Sequence, residues 1–228
     1  MKQLFIIPAR GGSKGLPGKN VKLLHGKPLI HYSIEMARNF VSDADICLTT
    51  DDNTIADCAA LINYHLPFIR PADLATDQTS MNEVVLHALH YYASLGRLYD
   101  QFILLQPTSP LRQLHHVKEA LALFTDDTEM VVSVCKSKAN PYYNLFEADA
   151  EGWLHISKGN GDISSRQQAP EVYQYNGAIY IVNVKAFILA ESFSSLKKIR
   201  KYVMDEKYSV DIDDINDWKR AEDFLDRK

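Results

Sequence analysis

Short apolar runs alternate with segments of helical periodicity along most of this chain. Five runs are predicted to be β-strands: Lys2–Ile7, Asp45–Thr49, Phe102–Gln106, Met130–Cys135 and Ala178–Asn183. Five segments carry apolar residues at helical spacing and are predicted to be α-helices: Pro28–Phe40, Thr54–Ile62, Met81–Ala93, Leu114–Phe124 and Asn216–Leu225. Continuously apolar strands suit a sheet that is covered on both faces. The alternation therefore predicts an α/β fold of three layers, with crossover connections and a mostly parallel sheet.

One segment, Ser137–Tyr173, interrupts the alternation. It is rich in glycine and proline and too long for a simple loop in a compact domain, so a β-hairpin-like insertion is predicted. Its aromatic residues are Tyr142, Tyr143, Phe146 and Trp153. Exposed aromatic side chains indicate burial against something else, and a partner subunit is the favoured candidate. No linker or repeat divides the remainder, so residues 1–228 are expected to form one domain.

Composition narrows the class of protein. With 228 residues, 46% of them hydrophobic, the chain can bury a substantial core. No apolar run reaches 18 residues, which argues against a membrane span, and the apolar stretch before Pro8 is too short for a signal peptide. Cys47, Cys58 and Cys135 lack the spacing of a metal or redox motif and are interpreted as reduced thiols. A cytoplasmic protein is expected.

The charge is distributed unevenly. A net charge of −4 argues against general affinity for nucleic acid. No acidic residue precedes Glu35, whereas several lysines and an arginine do, and nine carboxylates fall between Asp205 and Asp226. A basic beginning and an acidic end are compatible with solvated faces. They are also what a phosphate site completed by a divalent cation would need.

The loop Pro8–Asn20 is the strongest candidate for chemistry. It follows an apolar run directly and contains four glycines, a serine and the cations Arg10, Lys14 and Lys19. Glycine lets backbone N–H groups approach an anion closely, and ligands of open α/β sheets bind beyond the carboxyl ends of the strands. Both standard phosphate fingerprints fail, because Ser13 stands where each requires glycine. The loop nevertheless predicts recognition of a polyphosphate.

Two further segments are weaker by themselves. Gln106–Arg112 reads Gln-Pro-Thr-Ser-Pro-Leu-Arg directly after a predicted strand, which fits either a site or a structural turn that caps the next helix. Asp211 and Asp213 are two residues apart, so on a strand or strand end their carboxylates would converge and favour a hard cation. An acidic turn that caps the last helix is the alternative. Arg70 and Arg166 are weaker still, because a lone arginine more often forms a surface ion pair.

In combination these segments resemble the acylneuraminate cytidylyltransferases, also called CMP-sialic acid synthetases, over essentially the whole chain. The matching segments, in order, are Pro8–Gly15, Lys19-Asn20, Gln106–Arg112, Asn176–Tyr180 and Asp211–Asp213. The resemblance implies a nucleotide-diphosphosugar-transferase-like, Rossmann-like domain, with a β-rich dimerisation insertion at about 137–173 and a homodimer. It also implies a reaction in which CTP and a nine-carbon 2-keto sugar acid give the CMP-sugar and pyrophosphate.

The resemblance assigns roles residue by residue. Triphosphate contacts are expected from Arg10, Ser13, Lys14, Lys19 and Asn20. Residues expected to help enclose the nucleotide are Gly12, Arg70, Asp77 and Ser80. The expected sugar-binding residues are Gln106, Arg166 and Asn176. The expected catalytic residues are Arg10, Lys19, Asp211 and Asp213, of which the two aspartates would hold Mg²⁺, or Mn²⁺ in its place. No residue can be assigned as the general base from the sequence.

One departure leaves the sugar open. The family's sialate-specific members carry a lysine shortly after the proline of the insertion's first strand, whereas Pro141 is followed here by Tyr142-Tyr143-Asn144. N-acetylneuraminate, a legionaminate-like or pseudaminate-like acid and a deaminated analogue all remain candidates. The CMP-Kdo synthetases are related but typically carry Arg-Leu-Pro-Gly-Lys-Pro in the opening loop, so Lys14-Gly15 and Lys19-Asn20 favour the sialate-like branch. A different acceptor or nucleotide, and a non-catalytic nucleotide-sugar-binding protein, are the alternatives.

Overall fold

A six-stranded sheet forms the centre of the computed structural model, which describes residues 1–227. The strands are β1 (Gln3–Pro8), β2 (Leu23–Leu24), β3 (Lys27–Pro28), β4 (Ile46–Thr49), β5 (Gln101–Leu104), β6 (Met130–Lys136), β7 (Phe146–Ala148), β8 (Leu154–Ile156), β9 (Tyr173–Asn183) and β10 (Ile199–Val203). The helices are α1 (Leu29–Arg38), α2 (Asn53–Ala60), α3 (Met81–Ser94), α4 (Leu114–Ala122), α5 (Val184–Ala190) and α6 (Ile215–Asp226). The two short ribbons β2–β3 and β7–β8 lie outside the central sheet.

The central sheet is mostly parallel, as predicted. Its order is β10-β6-β9-β5-β1-β4, and only β9 runs against its neighbours. The direction of β9 follows from its connection. The chain leaves β6, passes through the insertion and returns beside β6 without a crossover helix, so the two strands pair antiparallel. Every other neighbouring pair is parallel.

Alternate residues of the strands face two separate cores. On one face, Phe5 and Ile7 of β1 pack with Ile30 and Ile34 of α1 in a buried cluster. On the other face, Leu4 and Ile6 belong to a cluster that contains residues of α3 and α5. Because successive side chains of a strand point to opposite faces, both faces of β1 must be covered. The predicted three-layer α/β arrangement is therefore confirmed.

The predicted helices are all present, with bounds that differ by no more than two residues. Several of them begin at recognisable caps. Ser80 and Glu83 form a capping box at α3, and Asp214 and Asp217 form another at α6. Such caps satisfy the N–H groups of the first turn that have no partner within the helix.

Besides the short ribbon β2–β3, one longer strand and one helix were not predicted. The strand β10 reads Ile-Arg-Lys-Tyr-Val, lies at the sheet edge and is mostly exposed, so it lacks a continuous apolar run. The helix α5 has only seven residues and follows β9 directly, with Asn183 as its cap, so no polar boundary separates the two. Both elements could be identified only from the parts of the fold against which they pack.

The insertion contains the predicted hairpin, formed by β7 and β8, which pair antiparallel. The three cysteines are free thiols, with Cys47 buried and the other two half-buried. Across residues 1–227, no helix combines the length and the apolar composition needed to cross a bilayer.

Candidate active site

A cleft of about 570 Å³ opens at the carboxyl ends of β1 and β5. Four separate parts of the chain form its walls: the loop after β1, residues 70–84, residues 106–108 after β5, and the acidic segment before α6. The predicted site residues that line it are Arg10, Ser13, Lys14, Lys19, Asn20, Arg70, Asp77, Gln106, Asp211 and Asp213. The fold therefore brings together side chains that are up to about 200 residues apart in the sequence.

The loop after β1 is held from within and from below. The Asn20 side chain is buried, and its Nδ2 donates to the Arg10 carbonyl oxygen at 3.1 Å. The backbone N–H of Ala9 extends the pairing with β4 by donating to Thr49 at 3.0 Å. A Cβ on Gly15 would lie 2.3 Å from the Asp213 carbonyl oxygen, so only glycine lets the loop approach the acidic segment this closely. The loop thus has a defined position relative to the carboxylates.

Two of the loop's cations share one carboxylate. Asp77 accepts from Arg10 Nη1 at 3.0 Å and lies 2.6 Å from Lys14 Nζ. The hydrogen bond from Lys14, followed by the Arg10 contact, lowers the pKa of the Asp77 carboxyl. All three side chains are substantially exposed. Asp77 therefore pairs with the two cations that the sequence analysis expected to bind phosphate.

Lys19 connects the loop to the acidic segment. Its Nζ donates to the Ile212 carbonyl oxygen at 2.6 Å and lies 3.4 Å from Asp213 Oδ1. The Lys19 side chain is largely buried, whereas Asp213 is 81% exposed. The ammonium group is consequently fixed in the wall of the cleft beside the carboxylate pair.

The carboxylate pair meets in the cleft without a strand. Residues 211–213 have no regular secondary structure, so the expectation that they share one face of a strand is wrong. The segment is placed instead by the Ile212 N–H, which donates to the Thr108 carbonyl oxygen at 2.8 Å. Asp211 Oδ1 is buried and has no hydrogen-bond partner. Burial raises the pKa of the Asp211 carboxyl, and a hydrogen bond from Thr108 opposes that shift.

The Gln106 and Asp211 walls of the cleft rest on a strand irregularity, which we call its floor and whose Gly177 is itself buried. The pairing of β6 with β9 shifts register between Val132 and Val134, and Gly177 opposite has a φ of +72°. A Cβ on Gly177 would lie 2.8 Å from Gln106 Oε1 and 3.1 Å from Asp211 Oδ2. These two polar atoms therefore converge on one point where only glycine leaves room.

Asn176 and Arg112 hold this floor from behind. Asn176 is buried, accepts from the Ser133 hydroxyl at 2.6 Å and donates to Ser209 Oγ at 2.9 Å. Arg112 is also buried and donates to the Gln106 carbonyl oxygen and, at 3.0 Å, to Ser33 Oγ. Both side chains are committed to the fold, and neither lines the cleft.

Three other predicted residues lie outside the cleft walls. Gly12 is exposed, with open space where a Cβ would stand. The Ser80 hydroxyl is used in the α3 capping box. Arg166 is exposed in the insertion and is not among the residues that line the cleft. The expectation that Arg166 binds the sugar therefore stays a prediction.

Sequence reasoning missed Asp51 and Ser133 as supports of the site. Asp51 accepts from Gly11 N and from Arg70 Nη2, each at 3.2 Å. The signal was available, because Thr50-Asp51-Asp52 follows β4 directly at the same sheet edge as the other candidate segments. Ser133 carried no signal, since it lies within the apolar strand β6.

Comparison with known proteins agrees with the fold and with the resemblance. A sequence profile of the cytidylyltransferase family matches residues 4–225, so the chain belongs to that family. It is 34% identical over 226 residues to the CMP-N,N'-diacetyllegionaminic acid synthase of Legionella pneumophila, covering 99% of this chain and 97% of that protein.

Two further proteins complete the comparison. The chain is 36% identical over 223 residues to the N-acylneuraminate cytidylyltransferase of Escherichia coli O18:K1:H7, covering 96% of this chain and 51% of that protein. Among solved structures, the fold is similar to that of a CMP:2-keto-3-deoxy-manno-octonic acid synthetase complexed with CTP. The TM-score is 0.71 at 17% identity, and the match covers 100% of this chain and 99% of the other.

Proposed function

We propose that this chain transfers the CMP group of CTP to a nonulosonic acid and releases pyrophosphate. The observation that carries the proposal is the single cleft in which a glycine-rich cationic loop faces a carboxylate pair. The named relatives include enzymes that make CMP-activated sugar acids, which fits this cleft. The anomeric hydroxyl attacks the α-phosphorus, the bond to the β-phosphate oxygen breaks, pyrophosphate leaves and the hydroxyl proton is released.

The cations of the loop bind the triphosphate. Lys19 is fixed in the wall by the Ile212 carbonyl oxygen, so its charge is preorganised for a phosphate. Arg10 and Lys14 are extended toward Asp77 and can exchange that carboxylate for phosphate oxygens. Such preorganised positive charge stabilises the negative charge that develops on the leaving group.

Asp211 and Asp213 fit a divalent cation. Asp211 Oδ1 is a buried carboxylate oxygen without a partner, next to a second, exposed carboxylate. Mg²⁺ is usually held by one or two carboxylates together with substrate phosphates. When bound, the cation would polarise the α-phosphate and neutralise charge on the leaving pyrophosphate. The contribution of this chain is to hold the two carboxylates beside Lys19, so that phosphate oxygens would complete the coordination of the cation.

The acceptor sugar binds above the floor of the cleft, at Gln106. Gln106 lines the cleft, with its Oε1 packed against Gly177, and its side-chain amide can hydrogen-bond a sugar hydroxyl. Because Asp211 Oδ2 approaches the same glycine, an acceptor bound at Gln106 would lie beside the carboxylate proposed to hold the cation. Because one curated relative acts on a legionaminic acid and another on an acylneuraminate, the proposed substrate class is the nonulosonic acids.

The proposal includes a homodimer formed through the insertion. The hairpin exposes several large apolar side chains: Leu145, Phe146, Trp153 and Leu154. Trp153 is 71% exposed, which is unfavourable for an isolated monomer in water. A second copy of the chain would bury this surface. Light scattering at micromolar concentration is expected to give the mass of a dimer, and a monomer mass would contradict it.

The choice of nucleotide tests the proposal against its alternatives. Purified protein is incubated with Mg²⁺, a nonulosonic acid and either CTP, UTP, ATP or GTP, and pyrophosphate release is measured. CTP is expected to be used with clear preference, and Kdo is expected to be a poor acceptor. Equal use of GTP, or efficient use of Kdo alone, would favour a different nucleotidyltransferase. Tight binding of a CMP-sugar without turnover would favour a binding protein.

A further inference from the structure

One carboxylate oxygen links two walls of the cleft from behind. Asp51 follows β4 and does not line the cleft. Its Oδ1 accepts a hydrogen bond from Gly11 N and another from Arg70 Nη2, each 3.2 Å long. Gly11 belongs to the loop after β1, whereas Arg70 begins the segment that forms the opposite wall. The position of either wall therefore depends on the same atom.

Arg70 needs this carboxylate. Its side chain is 3% exposed, and Asp51 is the only acidic residue within residues 1–227 that forms an ion pair with it. Its Nε is buried without a hydrogen-bond partner. Burial lowers the pKa of Arg70, the hydrogen bond and charge of Asp51 oppose that shift, and the charge of Arg10 adds to it. A buried cation that loses its only partner is strongly unfavourable, so Arg70 would leave its position.

The Gly11 turn is held equally closely. A Cβ on Gly11 would lie 2.5 Å from Asp52 Oδ2, so the turn packs directly on the Asp51-Asp52 segment. The two neighbouring carboxylates have different tasks. Asp52 caps α2 by accepting from Thr54 N at 2.7 Å, whereas Asp51 faces the loop and Arg70. Because Asp52 caps the helix, Asp51 is left to bond the Gly11 turn and Arg70.

We infer that Asp51 is a positioning residue for nucleotide binding, which holds the Gly11 turn and the Arg70 guanidinium in the arrangement that receives CTP. This inference rests on the proposed function. It concerns the nucleotide side of the cleft, since the sugar side is built from Gln106, Gly177 and the residues behind them. Loss of Asp51 should therefore weaken CTP binding selectively.

Steady-state kinetics with CTP and the preferred acid test the inference. Asp51→Ala is expected to raise the KM for CTP about tenfold or more, because hydrogen bonds to a charged group are lost. The KM for the acid should change less than about twofold. Asp51→Asn keeps an oxygen that accepts both hydrogen bonds, so its KM for CTP should stay within about threefold of the wild type. Where Asp51→Ala does not yield folded protein, Asp51→Ser, which is too short to reach both partners, is expected to behave in the same way.

Asp43→Ala is the matched control. Asp43 accepts from Arg38 Nε and Nη2 at 2.8 and 2.7 Å, so this variant also separates a carboxylate from an arginine, at a place outside the cleft walls. Both KM values are expected to remain at the wild-type level. A rise in the KM for CTP equal to that of Asp51→Ala would mean that any such loss disturbs the cleft, and the inference would be wrong.

A double-mutant cycle with Arg70→Ala tests the connection between the two residues. If Asp51 acts through Arg70, adding Asp51→Ala to Arg70→Ala raises the KM for CTP by clearly less than it does in the wild type. Fully independent effects would overturn the inference. Calorimetric binding of CTP separates the two proposals. If Asp51→Ala weakens CTP binding in a protein that turns over no acid, the positioning role of Asp51 is supported and the proposed function is contradicted. If CTP binding is unchanged in an active enzyme, only the positioning role of Asp51 is contradicted.

Discussion

Lys19 donates a 2.6 Å hydrogen bond from its ammonium group to the backbone carbonyl oxygen of Ile212, 193 residues further along the chain. This contact joins the loop after β1 to the segment that carries Asp211 and Asp213. The distance between the cationic loop and the carboxylate pair is thereby set by a side chain that itself lines the cleft. The proposed binding of a triphosphate and a divalent cation in one cleft would need this relationship.

Lys19→Met tests that relationship. The substitution keeps the length of the side chain but removes its charge, so kcat/KM for CTP is expected to fall about tenfold to a hundredfold. Lys22→Met is the control, because Lys22 lies over the Trp218 ring, 4.6 Å from its centroid, and does not line the cleft. Its kcat/KM should be that of the wild type. Equal losses in both variants would contradict the role of Lys19.

Asp211→Asn separates activity from stability. Turnover is expected to fall about a hundredfold or more, since one oxygen of the proposed metal site becomes an amide nitrogen or a neutral carbonyl. Because burial raises the pKa of the Asp211 carboxyl, its ionised form is disfavoured by folding, and Tm should be unchanged or higher. Asp214→Asn, which preserves the cap of α6, should retain activity. Turnover near the wild-type rate at saturating Mg²⁺ would refute the assignment of Asp211.

Asp77→Asn asks whether Asp77 competes with the nucleotide. If the carboxylate occupies Arg10 and Lys14 only in the absence of CTP, neutralising it should lower the KM for CTP about two- to fivefold at low ionic strength, because both cations become available. The effect should shrink as salt is added, since these groups are exposed. A higher KM for CTP would show instead that Asp77 contacts the nucleotide.

Gly177→Ala tests the floor of the cleft against a control with the same backbone. Gly177 and Gly96 both have a φ of +72°, so alanine costs about 1–2 kcal/mol of strain at either position. At Gly96 the added Cβ meets open space, whereas at Gly177 it lies 2.8 Å from Gln106 Oε1. Gly177→Ala is expected to lose at least as much stability as Gly96→Ala in thermal melts, because its Cβ also displaces Gln106, and only Gly177→Ala should raise the KM for the acid. Equal KM values would show that the acceptor does not use this floor.

The sequence predicted the elements and the site to different extents. Buried strands such as Phe5–Ile7 and helices with strong caps were predictable, because local periodicity and capping agree with the tertiary fold. The exposed edge strand Ile199–Val203 was not, since its alternation contains two cations and its partner β6 is distant in the sequence.

The same distinction applies within the cleft. Charge and glycine in loops that were expected to follow strands made the cleft residues Arg10, Lys19 and Asp211 predictable. Asn176 was expected near the sugar. In the fold its side-chain amide is hydrogen-bonded to Ser133 and Ser209, which come from two other segments, so this role could not be seen in the sequence. Side chains that are used for support cannot be told from those that face a ligand until their neighbours are known.

The most direct test is pyrophosphate release from CTP with Mg²⁺ and a panel of acids that includes N-acetylneuraminate, legionaminate and pseudaminate derivatives, deaminated analogues and Kdo. The account predicts stoichiometric pyrophosphate and CMP-sugar with at least one nine-carbon acid, and none when CTP or the acid is omitted. Absence of release with every acid, from folded protein that binds CTP, would contradict it.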